Sequence, residues 1–272
     1  MKNHPRILVF IPAYRCKAQV VRVLDQFDQR VQAWIHTVMV VDNRSPDGTL
    51  QAAIDRGTAR IIETNFIAWR NDDNYGLGGS HKAAFRYAVE QKMDYVVVLH
   101  GDDQADIRDL VPLLEEGVHE QVDCLLGARF MSGSRLKGYS WFRTFGNRLY
   151  NKIFSFAVLR NIYDLGSGLN LYRVSSLQEF YYKSFPDDLT FNYVMLLASY
   201  HRGQNVRFFP ISWREEDQIS NVKMFRQAFK VLGLLAGYFF QRGSFLASEL
   251  RGKAFDRYSG QIKCFQEAKF SD

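Results

Sequence analysis

The sequence predicts an α/β fold built on a mainly parallel sheet flanked by helices. Three observations carry that expectation. Short, continuous apolar runs recur through the first half, as expected of strands buried on both faces. Stretches with helical apolar spacing separate them, the pattern of right-handed β-α-β units. The runs end on polar residues, and open parallel sheets bind ligands beyond the carboxyl ends of their strands.

The elements follow in order. Residues 7–11 form the first strand, and Val20, Val21, Leu24 and Phe27 recur at helical spacing. Residues 38–41 form the second strand, ending at Asp42; Arg44-Ser-Pro-Asp-Gly48 is a turn in which Asp47 is placed to cap the next helix. Residues 60–63 read as the third strand. A helix begins near Ser80 and carries Tyr87 and Ala88. Residues 95–99 are the most apolar strand, followed by a helix over 107–116 and a strand over 123–127. In the second half, 141–160 read as a long helix rich in Phe and Arg, 169–174 as a strand, 189–201 as a helix and 206–213 as a last strand. Residues 224–250 are mostly helical, apolar and basic. We divide the chain into one domain over 1–223 and an amphipathic helical extension over 224–272.

Composition excludes several classes. With 272 residues, 47% hydrophobic and 24% charged, the chain can bury a sizeable core and is not disordered. Residues 1–136 hold 16 basic and 18 acidic side chains; residues 137–272 hold 19 and 11, so the positive charge lies in the second half. No apolar run approaches the roughly 18 residues of a spanning helix. The polar start leads straight into a strand, so no signal peptide is expected and the expected location is cytoplasmic. Cys16, Cys124 and Cys264 have no metal or disulfide spacing. A nucleic-acid partner is not expected, because no recognition motif accompanies the charge. Dinucleotide binding is excluded because the first strand runs into Pro12-Ala-Tyr-Arg15 without a glycine fingerprint.

The sharpest signal is Leu99-His-Gly-Asp-Asp-Gln104. If the segment stays extended, His100, Asp102 and Gln104 share a face and Asp103 points the other way. An imidazole, a carboxylate and an amide oxygen suit a divalent cation that also holds phosphates. Arg129 at the end of the fifth strand suits a diphosphate. Arg143, Asn147 and Asn151 are spaced i, i+4, i+8 beside the aromatic row Trp141, Phe145 and Leu149. Such a double row fits a phosphate on a greasy chain, and equally a solvated face beside a core face.

Taken together, the sequence resembles the family 2 glycosyltransferases of the GT-A fold, and within them the polyprenyl-phosphate glycosyltransferases related to dolichol-phosphate mannose synthase. The matching pieces occur in family order: Ile11-Pro-Ala-Tyr14, Val41-Asp-Asn-Arg-Ser-Pro-Asp-Gly-Thr49, Asn74-Tyr-Gly-Leu-Gly-Gly79, Gly101-Asp-Asp-Gln104 and Gly127-Ala-Arg-Phe130. Arg143 with Asn147 and Asn151 follows, then Asp164-Leu-Gly-Ser-Gly168 and Pro210-Ile-Ser-Trp213. The resemblance implies roles. Pro12, Ala13, Tyr14 and Asp42, with Asp103, would contact a nucleotide-sugar donor, UDP-sugar favoured and GDP-sugar next. Asp102 and Gln104 would bind Mg²⁺ or Mn²⁺, with His100, a departure from the family, either a third ligand or a wall residue. Arg129 would stabilise the leaving diphosphate. Arg143, Asn147 and Asn151 would hold the acceptor phosphate.

The implied reaction is inverting transfer of a sugar to polyprenyl phosphate at an anionic membrane surface, which basic helices with aromatics can bind. A hydroxyl acceptor would instead need a base, for which Asp188 stands in the matching place. The chain departs from the family pattern at His100, where Asp is usual, at Arg15-Cys16, and in the acidic segment 215–223, where an arginine-and-glycine loop is usual.

Overall fold

The computed structural model describes residues 4–216 and 224–269. In chain order the elements are β1 (Ile7–Ala13), α1 (Lys17–Asp25), α2 (Gln29–Gln32), β2 (Thr37–Asp42), α3 (Thr49–Arg60), β3 (Asn65–Asn71), α4 (Gly76–Glu90) and β4 (Tyr95–Leu99). Next come α5 (Val111–Glu115), β5 (Cys124–Ala128), β6 (Arg135–Lys137), α6 (Trp141–Val158), β7 (Leu169–Arg173), α7 (Phe191–His201), β8 (Val206–Pro210) and β9 (Ser212–Arg214). The last are α8 (Met224–Phe240), α9 (Arg242–Ala247) and β10 (Gly260–Gln266).

Eight strands form one sheet in the order β10-β3-β2-β1-β4-β7-β5-β8. β3, β2, β1 and β4 run parallel. β7 is antiparallel to both β4 and β5, and β10 is antiparallel to β3. Alternation along β1 explains the two-sided core. Ile7, Val9 and Ile11 face a layer containing Val20 and Leu24 of α1, Ala53 of α3 and Leu114 of α5. Leu8 and Phe10 face the other layer, with Phe85 of α4, Phe154 of α6, Val194 of α7 and Leu235 of α8. All seven β1 residues are buried. Each large apolar side chain so placed contributes about 1.5–3 kcal/mol.

Several expected boundaries move. The third strand is not at 60–63: α3 runs to Arg60, and β3 begins at Asn65. Ile61 is buried and Ile62 exposed. The Gln32 Oε1 accepts from the backbone N–H of both Ile62 and Glu63 at 3.0 Å, so this apolar pair is a tethered connector. The N-cap of α3 is Gly48, in the left-handed region, rather than Asp47, which sits one residue earlier and accepts from Thr49 N at 3.2 Å. The expected helix over 107–116 is a 3₁₀ turn followed by the five-residue α5. The expected last strand splits at Ile211: β8 stays in the main sheet, while β9 leaves it to pair with β6.

The tail is also more than a helical extension. After α9 the chain turns back and adds β10 to the main sheet along β3. Some of its cations engage the body of the protein and others pair within the tail. Lys230 pairs with Asp188, Arg242 donates to the Ala157 carbonyl at 3.2 Å, and Arg251 pairs with Glu249. The aromatic Tyr258 meets Tyr75 and the buried Lys82.

Candidate active site

The carboxyl ends of β1, β2, β3 and β4 form one rim of the site. Pro12 and Ala13 end β1; the Pro12 carbonyl accepts from Gly101 N at 3.1 Å, and the Ala13 carbonyl accepts from Asn43 N at 2.9 Å. A Cβ at position 101 would lie 2.8 Å from the Pro12 oxygen, so only glycine lets the β4 end approach β1 this closely. Tyr14 stands 44% exposed at the rim, with Arg15 stacked at 5.4 Å from its ring centroid.

Asp42 is fully buried at the end of β2. Its Oδ1 accepts from Ser45 N at 3.1 Å, while its Oδ2 has no hydrogen-bond partner and lies 3.5 Å from Arg70 Nε. A buried carboxylate oxygen without a hydrogen-bond donor is unusual, and here the Arg70 guanidinium offsets its charge. Arg70, at the end of β3, was not singled out by the sequence, because its strand was misplaced.

The next loop is held by an amide network. Asn71 donates to Asn43 Oδ1 and Ser80 Oγ, each at 3.0 Å, and Asn43 donates to Asn74 Oδ1 at 2.7 Å. Gly76, in the left-handed region at φ +72°, packs on Asp187; a Cβ there would lie 2.3 Å from the Asp187 carbonyl oxygen.

The segment after β4 is a turn rather than an extended strand, with Asp103 at φ +60°. His100 is half-buried, its buried Nε2 has no hydrogen-bond partner, and its ring centroid lies 6.2 Å from that of His81. Burial and the nearby Arg129 hold the His100 imidazole below its ordinary range, against the opposing pull of Asp102. Burial also raises the Asp102 carboxyl, partly offset by His100 and backbone N–H groups. His81 is pushed down to about 3 by burial and by His100.

Gln104 lines a cleft of about 220 Å³ with Arg135, Lys137 and Arg214. Among the described residues, no group of three or more His, Cys, Asp or Glu side chains is arranged to hold a metal. A neutral imidazole nitrogen, one carboxylate and one amide oxygen suit a divalent ion whose remaining ligands are phosphate oxygens.

Asp103 is not with the donor-facing group. It is 2% exposed, and its carboxylate accepts from Arg22 Nε at 2.7 Å, from Gln26 Nε2 at 3.0 Å and from Arg214. These partners, from α1, its C-cap residue and β9, occupy both carboxylate oxygens. Arg129 is likewise committed. Its guanidinium forks onto Asp164 at 2.7 and 2.8 Å, with side-chain exposures of 11% and 1%, and stacks 4.7 Å from the Trp213 ring centroid. The pair is neutral overall, which reduces the charge Arg129 presents to a diphosphate.

On α6, Arg143 and Asn147 converge on Tyr139. Arg143 lies 4.6 Å from its ring centroid and donates to Glu215 Oε2 at 2.6 Å; Asn147 Nδ2 donates to the Tyr139 hydroxyl at 2.9 Å. Asn151 does not join them. It is 6% exposed, and its amide donates to the Tyr163 carbonyl at 2.6 Å, anchoring the loop after α6. Asp188 accepts from Thr190 N at 2.9 Å and from Lys230. Burial raises its carboxyl, but Lys230 and Thr190 more than offset this and bring it below the ordinary range. Residues 217–223, most of the acidic segment, lie outside the described residues.

The sequence profile of glycosyl transferase family 2 matches residues 8–181. The chain belongs to glycosyl transferase family 2. Curated relatives include polyprenol monophosphomannose synthase of Mycolicibacterium smegmatis, 24% identical over 174 residues, covering 64% of this chain and 64% of that protein. Undecaprenyl-phosphate mannosyltransferase of Micrococcus luteus is 28% identical over 176 residues, 64% of this chain and 68% of that one. The match therefore spans only about two thirds of these relatives' length.

Among solved structures, glucosyl-3-phosphoglycerate synthase from Mycobacterium tuberculosis, in complex with Mn²⁺, UDP and glucosyl-3-phosphoglycerate, superposes with a TM-score of 0.61 at 13% identity, covering 89% of this chain and 81% of that one. A mannosyltransferase from Pyrobaculum calidifontis in complex with GDP-Man and Mn²⁺ gives 0.59 at 18% identity, covering 89% and 65%. This family 2 chain has the GT-A fold these structures share.

Proposed function

We propose that the protein is an inverting glycosyltransferase that moves a sugar from a nucleotide-sugar donor to polyprenyl phosphate at a membrane surface. One observation carries the acceptor side of this reading. The phosphate-binding candidates Arg143 and Asn147 lie on the helix whose outer face is apolar and basic. Trp141, Phe145 and Phe156 are 79%, 63% and 72% exposed there, beside exposed Arg148 and Lys152. A helix that holds a phosphate on one face and offers aromatics and cations on another suits a lipid phosphate in an anionic bilayer. No helix among the described residues is long and apolar enough to cross a membrane; the contact proposed is through the outer face of α6. The names of the curated relatives favour the same acceptor class.

On the donor side, the Asp42 oxygen that has no hydrogen-bond donor and its ion-pair partner Arg70 present an acceptor beside a donor. Uracil and guanine each offer a ring N–H next to a carbonyl, so this pair accommodates either UDP or GDP sugars. A Mg²⁺ or Mn²⁺ held by Asp102, His100 and Gln104 would supply electrostatic stabilisation of the leaving diphosphate. The acceptor phosphate oxygen attacks the anomeric carbon as the bond to the diphosphate breaks. An anionic acceptor needs no general base. The lowered Asp188 carboxyl, held by Lys230, counts against the alternative in which a hydroxyl acceptor uses Asp188. Arg129 acts as a positioning residue, through Asp164 and Trp213.

The test is a panel of UDP, GDP, CDP and TDP sugars with Mn²⁺ or Mg²⁺ and farnesyl phosphate as acceptor, read by mass spectrometry, with the anomeric configuration of the product read by NMR. An inverted glycosyl phosphate from one donor, lost without metal, is expected. Transfer only to hydroxyl acceptors would overturn the reading.

A further inference from the structure

Arg214 and Glu215 are chain neighbours that engage different elements, the turn after β4 and α6. Arg214 donates its backbone N–H to the Gln104 carbonyl at 2.9 Å and its side chain to Asp103. Glu215 donates its backbone N–H to the Lys137 carbonyl at 3.0 Å and accepts from Arg143 at 2.6 Å. The Arg143 and Glu215 side chains are 34% and 19% exposed, so their contact is partly desolvated. Charge-assisted bonds are stronger there than on an open surface. Arg143 also stacks on Tyr139, whose hydroxyl engages Asn147. Arg143, the charged group assigned to the acceptor phosphate, is thus already paired with a carboxylate that the chain itself supplies, and Asn147 is tied to it only through Tyr139 and the Arg143 carbonyl.

We infer that Glu215 is an internal stand-in for the acceptor phosphate and determines which acceptors bind. The inference rests on the acceptor role proposed for Arg143. A carboxylate offers one negative charge and two oxygens. A phosphomonoester carries about −1.5 to −2 at neutral pH and three strong acceptor oxygens. It can therefore displace Glu215 from Arg143, whereas a neutral hydroxyl or a phosphodiester monoanion competes poorly. Glu215 makes the site selective for a phosphomonoester at the cost of some affinity.

Titration calorimetry on the full chain tests this with farnesyl phosphate, glycerol 3-phosphate and dimethyl phosphate as probes, comparing Glu215→Ala, Glu215→Gln and Arg143→Ala. Both Glu215 variants are expected to bind the two phosphomonoesters about tenfold more tightly than the native chain. They should also gain measurable affinity for dimethyl phosphate. A preference for farnesyl phosphate assigns a lipid source and a preference for glycerol 3-phosphate a soluble one; with the gain in affinity, either supports the role of Glu215. If the Glu215 variants bind no tighter while Arg143→Ala loses binding, Glu215 merely orients the arginine and the inference falls while the acceptor reading stands. If Arg143→Ala binds the probes as the native chain does, both fall.

Discussion

Arg22 Nε donates a 2.7 Å hydrogen bond to Asp103 Oδ2, joining α1 to the turn that carries the metal-binding candidates, 81 residues away. Gln26, the residue that caps the C-terminus of α1, reinforces it by donating to Asp103 Oδ1 and to the Ala105 carbonyl. Asp103→Ala would remove the carboxylate on which two arginines and the buried Gln26 amide converge. We expect a loss of about 2–3 kcal/mol in urea unfolding, below the full range for a broken buried pair because both arginines are about a third exposed. Mn²⁺ affinity should fall as well. Asp103→Asn, which keeps the shape, should recover part of both.

Removing the partner of Arg129 should be more damaging. Asp164 is 1% exposed on its side chain and also accepts from the Arg129 backbone N–H at 2.8 Å. Asp164→Ala strands a buried guanidinium, and about 3–5 kcal/mol of stability should be lost. The double variant Asp164→Ala with Arg129→Met should regain much of it in the same unfolding assay.

The pH dependence should run in an unusual direction. Lys82 is 3% exposed and donates to Asp187 and to the Phe185 carbonyl, each at 2.6 Å. Burial pulls its amine down from 10.5 to about 8, although Asp187 opposes the shift. Between those values the unfolded chain holds a proton that the folded chain has released. Stability contributed by this group therefore rises from about pH 8 toward pH 10, by roughly 2–3 kcal/mol at most. Lys82→Met should flatten that rise in urea titrations across the same range.

His100 should shape metal choice. Replacing a neutral imidazole with a carboxylate adds negative charge and a hard oxygen ligand. His100→Asp should raise Mg²⁺ affinity about tenfold relative to Mn²⁺. Competition between the two ions, followed by the paramagnetic signal of free Mn²⁺, measures the ratio directly.

The outer face of α6 should govern vesicle binding. Trp141→Ser with Phe156→Ser removes two exposed aromatics from a face that makes little contact with the core. Sedimentation with anionic vesicles should weaken at least tenfold, while thermal unfolding should shift by no more than a degree or two.

The sheet was legible because β1, β2, β4 and β5 are continuous apolar runs, and such runs have few other places to go. β3 escaped because Asn65, Arg70 and Asn71 break its apolar signal, and the neighbouring Ile61-Ile62 pair offered a false one. β10 escaped because an edge strand needs apolar residues on only one side, and Ile262 and Phe265 stand largely exposed. In the site, residue types at strand ends were readable, since the chemistry is local to each motif. Pairings were not. Asp103 with Arg22, Arg129 with Asp164, Arg143 with Glu215 and Lys82 with Asp187 join positions from 35 to 105 residues apart. Opposite charges at such separations leave no periodic trace in a sequence.

The return of β10 to β3 has a consequence for biosynthesis. Gly260 pairs with Asn71, so the edge of β3 stays open until 189 further residues have been made. At about 5–20 residues per second that interval is roughly 10–40 s. Throughout it the nascent sheet presents a row of unsatisfied backbone groups able to recruit a foreign strand. The protein completes its sheet late, and a cell producing it must shield that edge while translation continues.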